Sequence, residues 1–294
     1  MKKSLINSLK LLVPACLFIY LLLQVDAEDY QIFCNQPKRL QLLLLAEIVA
    51  LDAIFVSFLR WRMLDLAFEI PFTLREALRL GFLGYLLNFV SFGSVGGDLF
   101  KAILVARDKP ARRPEAIASV LLDRAIGLLG LVILAWGSLS LLVHASEISP
   151  LLIGIRNAAG IFAIASVFGL VVAVFAGRWF DQLIDWSERT IPLAGDTLAR
   201  MARAVRLLRK RPSILVLSIV ISVAVHSLLA TSVFLVSCGT YAQHPTLEEH
   251  FMVVPPAMAA GALPLAPGGL GYQETALAGP VSYTHLRAHE TALR

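Results

Sequence analysis

The chain has few of the residues from which catalytic and metal-binding sites are made. Its 294 residues include only three cysteines, which do not form C-x-x-C pairs. It has no G-x-x-x-x-G-K-[ST] nucleotide loop, no cluster of metal ligands and no paired nucleophile and base. We therefore expect neither an enzyme nor a protein with a resident metal or cofactor.

Charged residues are also scarce. They make up 16% of the chain, against about 25% in soluble proteins, whereas hydrophobic residues make up 57%. A soluble domain of this length could not bury so much apolar surface, so we predict an all-α polytopic membrane protein built as a helical bundle. The net charge of +5 does not indicate a nucleic-acid partner, because the basic residues cluster between apolar runs, as in loops retained on the cytoplasmic side.

The apolar runs and their flanks predict the topology. Basic loops, such as the one with Arg60, Arg62 and Arg75, are placed inside, and loops that lack Lys and Arg are placed outside. This puts the N-terminus in the cytoplasm. The first run also fits a signal peptide cleaved near Ala27, although a retained span is preferred. The predicted spans are 11–23, 40–59, 116–143, 155–176 and 213–238.

Several polar residues fall inside or beside these spans. Glu47 and Asp52 each cost roughly 2.5–3.5 kcal/mol on insertion, so they should face the bundle interior or water, unless tilt places them near an interface. His226 is interpreted as a residue that hydrogen-bonds between helices rather than as a proton carrier. Cys34 and Cys238 fall on the same predicted outer side, so a disulfide and two free thiols both stay open.

A basic segment at 178–211 follows the span 155–176. Its arginines alternate with apolar residues, which is typical of an amphipathic helix lying on an anionic inner leaflet. The same residues also fit the retention of positive loops inside, and the two interpretations can both hold.

Three glycines interrupt the hydrophobic segment that begins at residue 73. Gly93, Gly96 and Gly97 are followed by Asp98 and Lys101. As a helix, the nine residues that follow the glycines span only about 13 Å, too little for a hydrocarbon core of about 30 Å. Because basic loops flank the segment on both sides, we predict a re-entrant hairpin that enters from the cytoplasm and returns. Asp98 is either a ligand contact or the N-cap of the short helix.

An acidic and a basic residue stand side by side in the span 116–143. Asp123 and Arg124 lie about two turns into it. Adjacent residues on a helix diverge by about 100°, so these two side chains should not satisfy each other. Each is expected to find a partner on another element.

A second segment, 251–274, is broken by prolines and glycines. Proline removes a backbone donor and clashes with the preceding turn, so no continuous helix is expected across Pro264 and Pro267. The segment enters from the outside, opposite to the first, and its glycine pair is likewise followed closely by an acidic residue. Two broken segments of opposite orientation suggest an inverted repeat whose half-helices meet at the membrane midplane.

Together these motifs resemble the lysylphosphatidylglycerol synthase transmembrane (flippase-like) family. The resemblance rests on Gly96-Gly97-Asp98 with Lys101, on Asp123-Arg124 and on the run 264–274, and it covers about residues 8–279. It implies a bacterial or archaeal inner-membrane protein that handles lipids. Some members carry a fused cytosolic aminoacyl-transferase domain. This chain shows none, so synthase activity is not expected.

The end of the chain departs from the family pattern. Family members look longer after the proline–glycine run, with further apolar spans. Residues 281–294 do not continue the membrane pattern and look like a translated sequencing adapter. We expect residues 1–280 to be a flippase-like transmembrane domain truncated at its C-terminus, and residues 281–294 to be a non-native tail.

The function that this reasoning favours is an integral inner-membrane translocator of phospholipid or related lipid head groups. An ion-coupled small-solute transporter and a non-transporting membrane partner of an envelope enzyme stay open. The expected partners are membrane lipids and the anionic inner leaflet, with a homo-oligomer or an envelope enzyme as further options. Basic residues and helix N-termini would meet the phosphate, and carboxylates would balance the charge. The candidate substrate-binding residues are Gly96, Gly97, Asp98, Lys101, Asp123, Arg124, Pro267, Gly268, Gly269, Gly271 and Glu274.

Overall fold

The computed structural model describes residue 31 and the ranges 33–90, 96–142, 150–175 and 208–262. All regular secondary structure in these ranges is helical, which confirms the all-α class. Short 3-10 turns at Pro110–Arg112 and Leu208–Lys210 precede two of the main helices. In chain order the main helices are α1 (Leu40–Ala67), α2 (Leu74–Val90), α3 (Gly96–Asp108), α4 (Arg113–Leu142), α5 (Pro150–Phe175), α6 (Pro212–Thr240) and α7 (Leu247–Gly261).

Four described helices, α1, α4, α5 and α6, are long and apolar enough to cross a membrane. They have 28, 30, 26 and 29 residues, which at 1.5 Å per residue is about 39–45 Å, more than a hydrocarbon core of about 30 Å. They confirm a polytopic membrane protein and four of the five predicted spans. The predicted span 11–23 lies outside the described residues.

The first described span is longer than its sequence pattern predicts. A basic loop is expected from Arg60 onward, but α1 continues as a helix to Ala67. That prediction is wrong because Arg60, Trp61 and Asp65 are buried against other helices. These residues therefore belong to the bundle and not to a surface loop.

Side-chain exposure reduces the alternatives that the sequence left open for two carboxylates and settles them for two cysteines. Glu47 and Asp52 on α1 are both exposed, so neither carboxylate faces the interior formed by the described helices. The water and interface alternatives remain for them. Cys34 is exposed, Cys238 is buried, and both are free thiols, so the two cysteines form no disulfide.

Helices α2 and α3 form an antiparallel hairpin. At its base, Lys109 Nζ lies 3.2 Å from Glu76 Oε1, and near its tip the Gly97 N–H donates to Asn88 Oδ1 at 2.8 Å. The helices have 17 and 13 residues, about 26 and 20 Å, and are too short to cross the membrane singly. This arrangement confirms that the segment forms a hairpin, whose connecting residues 91–95 lie outside the described ranges. Its entry from the cytoplasm stays a prediction.

An apolar core surrounds the base of this hairpin. It includes Trp61 and Phe68, Phe72 from the turn after α1, Val105 of α3 and Ala116 of α4. The rings of Trp61 and Phe72 pack edge-on, with their centroids 5.0 Å apart. Burying each large side chain contributes about 1.5–3 kcal/mol. The hairpin is thereby fixed between α1 and α4 at this end of the bundle.

The long helices α1 and α6 run antiparallel. At one end the Arg39 N–H donates to the Gly239 carbonyl at 2.9 Å. Further along, Ser232 Oγ donates to the Ala46 carbonyl, also at 2.9 Å. The C-terminal end of α6 therefore lies beside the start of α1, opposite the base of the hairpin.

Helix α4 crosses α6 through small and polar residues. His226 Nε2 lies 3.0 Å from the Gly127 carbonyl oxygen, and Ser222 Oγ donates to the same oxygen at 3.1 Å. A Cβ on Gly130 would lie 2.2 Å from Ser222 Oγ, so this close approach depends on glycine. The contact confirms that His226 hydrogen-bonds between helices, in the way that polar residues join membrane helices.

Helix α7 begins at the end of the bundle opposite the hairpin base. Thr246 Oγ1 accepts from the Glu249 N–H while the Glu249 carboxylate accepts from the Thr246 N–H, a capping box that fixes the first turn. His250 Nε2 lies 3.0 Å from Ser237 Oγ near the end of α6. The second broken segment therefore enters against the direction of the first, as predicted.

Two prolines lie inside α7 without ending it. The helix continues through Pro255 and Pro256 and ends at Gly261, although each proline removes one backbone donor. The predicted breaks in 264–274 lie outside the described residues. An inverted repeat between the two segments stays a prediction.

Candidate functional site

The first turn of α3 is held tightly against α2. Gly97 donates its backbone N–H to Asn88 Oδ1, and a Cβ on Gly97 would lie only 1.9 Å from the Gly84 carbonyl oxygen. Only glycine allows the two backbones to come this close. Asn88 is missing from the residues selected on sequence, although an amide inside an apolar run was a signal for it.

Asp98 joins two cations at this turn. It is the third residue of α3, so the N-cap interpretation is wrong. Lys101 Nζ lies 3.0 Å from Asp98 Oδ1, and Arg124 Nη1 lies 2.6 Å from Asp98 Oδ2. Charge-assisted hydrogen bonds of this kind are the strong ones. Three residues predicted for the site thus meet, and Arg124 has the partner on another element that was expected.

Lys101 is further fixed by aromatic rings of α1. Its Nζ lies 5.5 Å from the centroid of Trp61 and 5.9 Å from that of Phe58. Cations within about 6 Å of a ring face are attracted by the ring quadrupole. The ammonium is therefore fixed between the Asp98 carboxylate and two aromatic side chains.

Arg124 also reaches the end of α7. Its Nη2 lies 3.5 Å from the carbonyl oxygen of Ala262, the residue that follows this helix. Carbonyls at a helix C-terminus carry partial negative charge and attract cations. The guanidinium thus stands between the start of α3 and the end of α7, which belong to the two oppositely oriented segments.

Asp123 points to a different side of α4. Arg60 Nε donates to Asp123 Oδ1 at 2.9 Å, and Arg60 Nη2 donates to the Asp123 main-chain carbonyl at 3.3 Å. The two side chains are 17% and 7% exposed, Asp123 and Arg60 respectively. The predicted divergence of the adjacent pair is confirmed. Asp123, however, lies in the α1–α4 interface with a partner that the sequence had placed in a loop.

The remaining candidate residues come from the second broken segment. They lie outside the described residues, so their part in the site stays a prediction. They are Pro267, Gly268, Gly269, Gly271 and Glu274.

The Asp98 cluster brings two cations to one carboxylate. Lys101 and Arg124 both contact Asp98. The N-terminus of α3, the positive end of its dipole, lies at the same place. Such an arrangement suits an anion with several acceptor oxygens, and the planar fork of arginine matches both carboxylate and phosphate groups.

The base of the hairpin, outside the long spans, is held by Glu76. Its carboxylate accepts from the Thr73 N–H at 2.7 Å, and Lys109 Nζ lies 3.2 Å from its other oxygen. These contacts hold the pKa of Glu76 below its ordinary value of 4.5, and the Thr73 backbone hydrogen bond is the largest cause. The hairpin is therefore clamped at its base at neutral pH.

Comparison with known proteins gives a match over nearly the whole chain. The family model of the lysylphosphatidylglycerol synthase TM region matches residues 7–293. No curated protein and no solved structure matches the chain. The family match agrees with the resemblance that the motifs around Asp98 and Arg124 indicate.

Proposed function

The chain belongs to the lysylphosphatidylglycerol synthase transmembrane region family, and from this premise we propose that it moves the head group of a phospholipid or related lipid across the membrane. The ion cluster of Asp98, Lys101 and Arg124 supports the proposal most strongly. It lies where a hairpin from one end of the bundle meets a helix from the other end. In this proposal the head group crosses between the leaflets at this meeting point.

The cluster can supply the hydrogen bonds and charge contacts that a phosphate loses when it leaves water. The hydrocarbon core is about 30 Å thick, and a charge without partners is very costly inside it. Arg124 is 32% exposed and Lys101 is 12% exposed, so Arg124 makes the first contact with the phosphate in this proposal. Asp98 already pairs with both cations. The phosphate therefore competes with this carboxylate for them and can be released.

The proposal has consequences for location and partners. It places the protein in the inner (plasma) membrane with its N-terminus in the cytoplasm and its basic segments against the anionic inner leaflet. Membrane lipids are then both substrate and principal partner. No catalytic step is assigned to the chain.

Reconstitution in liposomes tests the proposal. The purified chain is incorporated with a head-group-labelled phospholipid, and an impermeant quencher reports how fast lipid from the inner leaflet becomes accessible. We expect the wild type to accelerate this movement and Arg124→Gln to lower the rate about tenfold or more, since a hydrogen bond to a charged group is worth about 1.5–3 kcal/mol. Arg112→Gln is the matched control, because Arg112 is 40% exposed and lies away from the cluster, beside Glu69.

The same liposomes separate the alternatives. A folded wild type that moves lipid no faster than protein-free liposomes contradicts the proposal. A solute-dependent flux of protons or sodium without lipid movement indicates the small-solute transporter, and neither activity indicates the non-transporting partner. A labelled glycolipid without phosphate tests the chemistry, because the cluster predicts that it moves more slowly than a phospholipid with the same acyl chains.

A further inference from the structure

The interface of α1 and α4 buries a carboxyl group that the proposed lipid site does not use. Asp65, near the end of α1, has no exposed surface. Its Oδ1 lies 2.5 Å from Ser119 Oγ on α4, and its Oδ2 has no hydrogen-bond partner among the described residues. An ionised carboxylate with a single donor is an expensive group to bury. The protonation state of Asp65 therefore matters to this interface.

The contacts of Ser119 fit a protonated Asp65. Ser119 Oγ lies 2.9 Å from the Ala116 carbonyl oxygen as well as 2.5 Å from Asp65 Oδ1. A hydroxyl has only one hydrogen to donate, and a carbonyl oxygen can only accept. An ionised Asp65 would have to share that one hydrogen with Ala116. A protonated Asp65 supplies a second hydrogen, so that each contact has its own.

The charged groups that face Asp65 are engaged with one another. Asp123 of α4, Glu76 of α2 and Lys109 after α3 act on it electrostatically. Glu76 and Lys109 form an ion pair at 3.2 Å, and Asp123 pairs with Arg60 at 2.9 Å. The two cations among these groups thus already serve other carboxylates. Neither of these two cations is left to replace the proton as the balance for the charge of Asp65.

We infer that Asp65 is a proton-binding site and that its proton is coupled to lipid movement, a coupling that rests on the proposed function. The proton leaves the carboxyl group for cytoplasmic water and leaves a negative charge between α1 and α4. That charge requires water, and α4 has to move away from α1 to admit it. Ser119 and Asp123 lie four residues apart on one face of α4, and Arg124 follows directly, so this movement reaches the lipid cluster.

Infrared spectroscopy of the purified protein in liposomes tests the proton site directly. A protonated carboxyl group has a C=O stretching band distinct from that of a carboxylate. We expect this band at neutral pH in the wild type, its loss in Asp65→Asn and its retention in Asp52→Asn, an exposed carboxylate on the same helix. Ser119→Ala gives a second reading, because losing the hydroxyl should shift the band. A band unchanged in Asp65→Asn and Ser119→Ala overturns the inference.

A pH gradient across the liposomes tests the coupling. With one proton per lipid, a gradient of one pH unit should shift the distribution of wild-type-transported lipid between leaflets by up to about tenfold. Asp65→Asn should abolish the shift while Asp52→Asn keeps it. A wild-type distribution that ignores the gradient overturns the coupling. Absence of lipid movement in folded wild type at every pH overturns the proposed function as well as the coupling, whereas the infrared band still decides on the proton site.

Discussion

Two adjacent residues of α4 form ion pairs in two different regions of the molecule. Asp123 meets Arg60 between two long helices, where the side chains are 17% and 7% exposed. Arg124 meets Asp98 at the tip of the hairpin and remains 32% exposed. The first pair joins spans that run through the bundle. The second joins the start of α3 to the end of α7.

The two carboxylates are similarly buried, at 15% exposure for Asp98 and 17% for Asp123, and the difference lies in the two arginines. Removing one partner of a buried ion pair strands the other charge and costs about 3–5 kcal/mol. Removing Arg124 should cost much less, because water reaches it and Asp98 keeps Lys101 as a partner. Substitutions around Arg60 should therefore act on folding. Substitutions around Arg124 should act on lipid movement in a folded protein.

The largest expected effect tests the structural side of this comparison. Arg60→Met leaves Asp123 without its partner and should lower the free energy of unfolding by about 3 kcal/mol, the lower end of the range for buried pairs. Unfolding of the purified protein in detergent measures it. Arg60→Met combined with Asp123→Leu should recover most of the loss, since no charge is then stranded. A single variant as stable as the wild type contradicts the structural role.

The next effect concerns the close approach inside the hairpin. A Cβ on Gly97 would lie 1.9 Å from the Gly84 carbonyl oxygen, so Gly97→Ala should force α2 and α3 apart and cost about 1–3 kcal/mol, as overpacking does. It should also slow lipid movement, because Asp98 is displaced. Gly137→Ala on α4 is the control, since its Cβ would meet nothing within 4 Å. If the two variants are equally stable, α2 and α3 do not pack as closely at Gly97 as this distance requires.

The working side of the comparison predicts a smaller change in stability. Arg124→Lys keeps the charge but loses the planar guanidinium, so lipid movement should fall while the free energy of unfolding changes by less than about 1 kcal/mol. Asp98 keeps Lys101 as its partner at 3.0 Å, so no carboxylate is stranded. Unfolding and liposome assays on the same preparation check this. A loss of stability as large as that of Arg60→Met removes the distinction between the two regions.

The smallest effect concerns pH at the base of the hairpin. The pKa of Glu76 is lowered in the folded protein, so its stabilisation is complete above pH 4.5 and is lost as the pH falls through the folded pKa. Glu76→Gln should cost about 0.5–1 kcal/mol at neutral pH, the range for caps and exposed pairs. Unfolding of Glu76→Gln and wild type is measured across pH, and the difference in their free energies of unfolding should vanish in acid. Glu69→Gln, at a side chain 60% exposed, is the control and should lower the free energy of unfolding at neutral pH by less than Glu76→Gln does.

Much of the fold follows from the sequence because membrane thickness and loop charge constrain it. The span predicted at 213–238 is α6, Pro212–Thr240, and the hairpin follows from basic flanks around a segment too short to cross. The end of α1 could not be predicted. Arg60 is tolerated in a buried helix only because Asp123, 63 residues later, pairs with it, and no local pattern reveals a partner so distant.

The site was predictable where its side chains are polar at membrane depth. Asp98, Lys101 and Arg124 stand out in apolar surroundings, and helical geometry alone separates Arg124 from Asp123. The contact to Ala262 was not predictable, because a main-chain carbonyl leaves no trace in the sequence. Both contacts of Arg124, to Asp98 and to Ala262, depend on how α3, α4 and α7 pack against one another.

The most direct test of the central claim is a double-mutant cycle at the Asp98–Arg124 contact. Lipid movement and thermal unfolding are measured for Asp98→Asn, Arg124→Gln and the double variant. The contact as a working unit predicts that all three move lipid equally slowly. Arg124→Gln, which leaves Asp98 paired with Lys101, should keep an unfolding temperature within about 4 °C of the wild type. Wild-type rates in either single variant, or losses that multiply in the double variant, would contradict it.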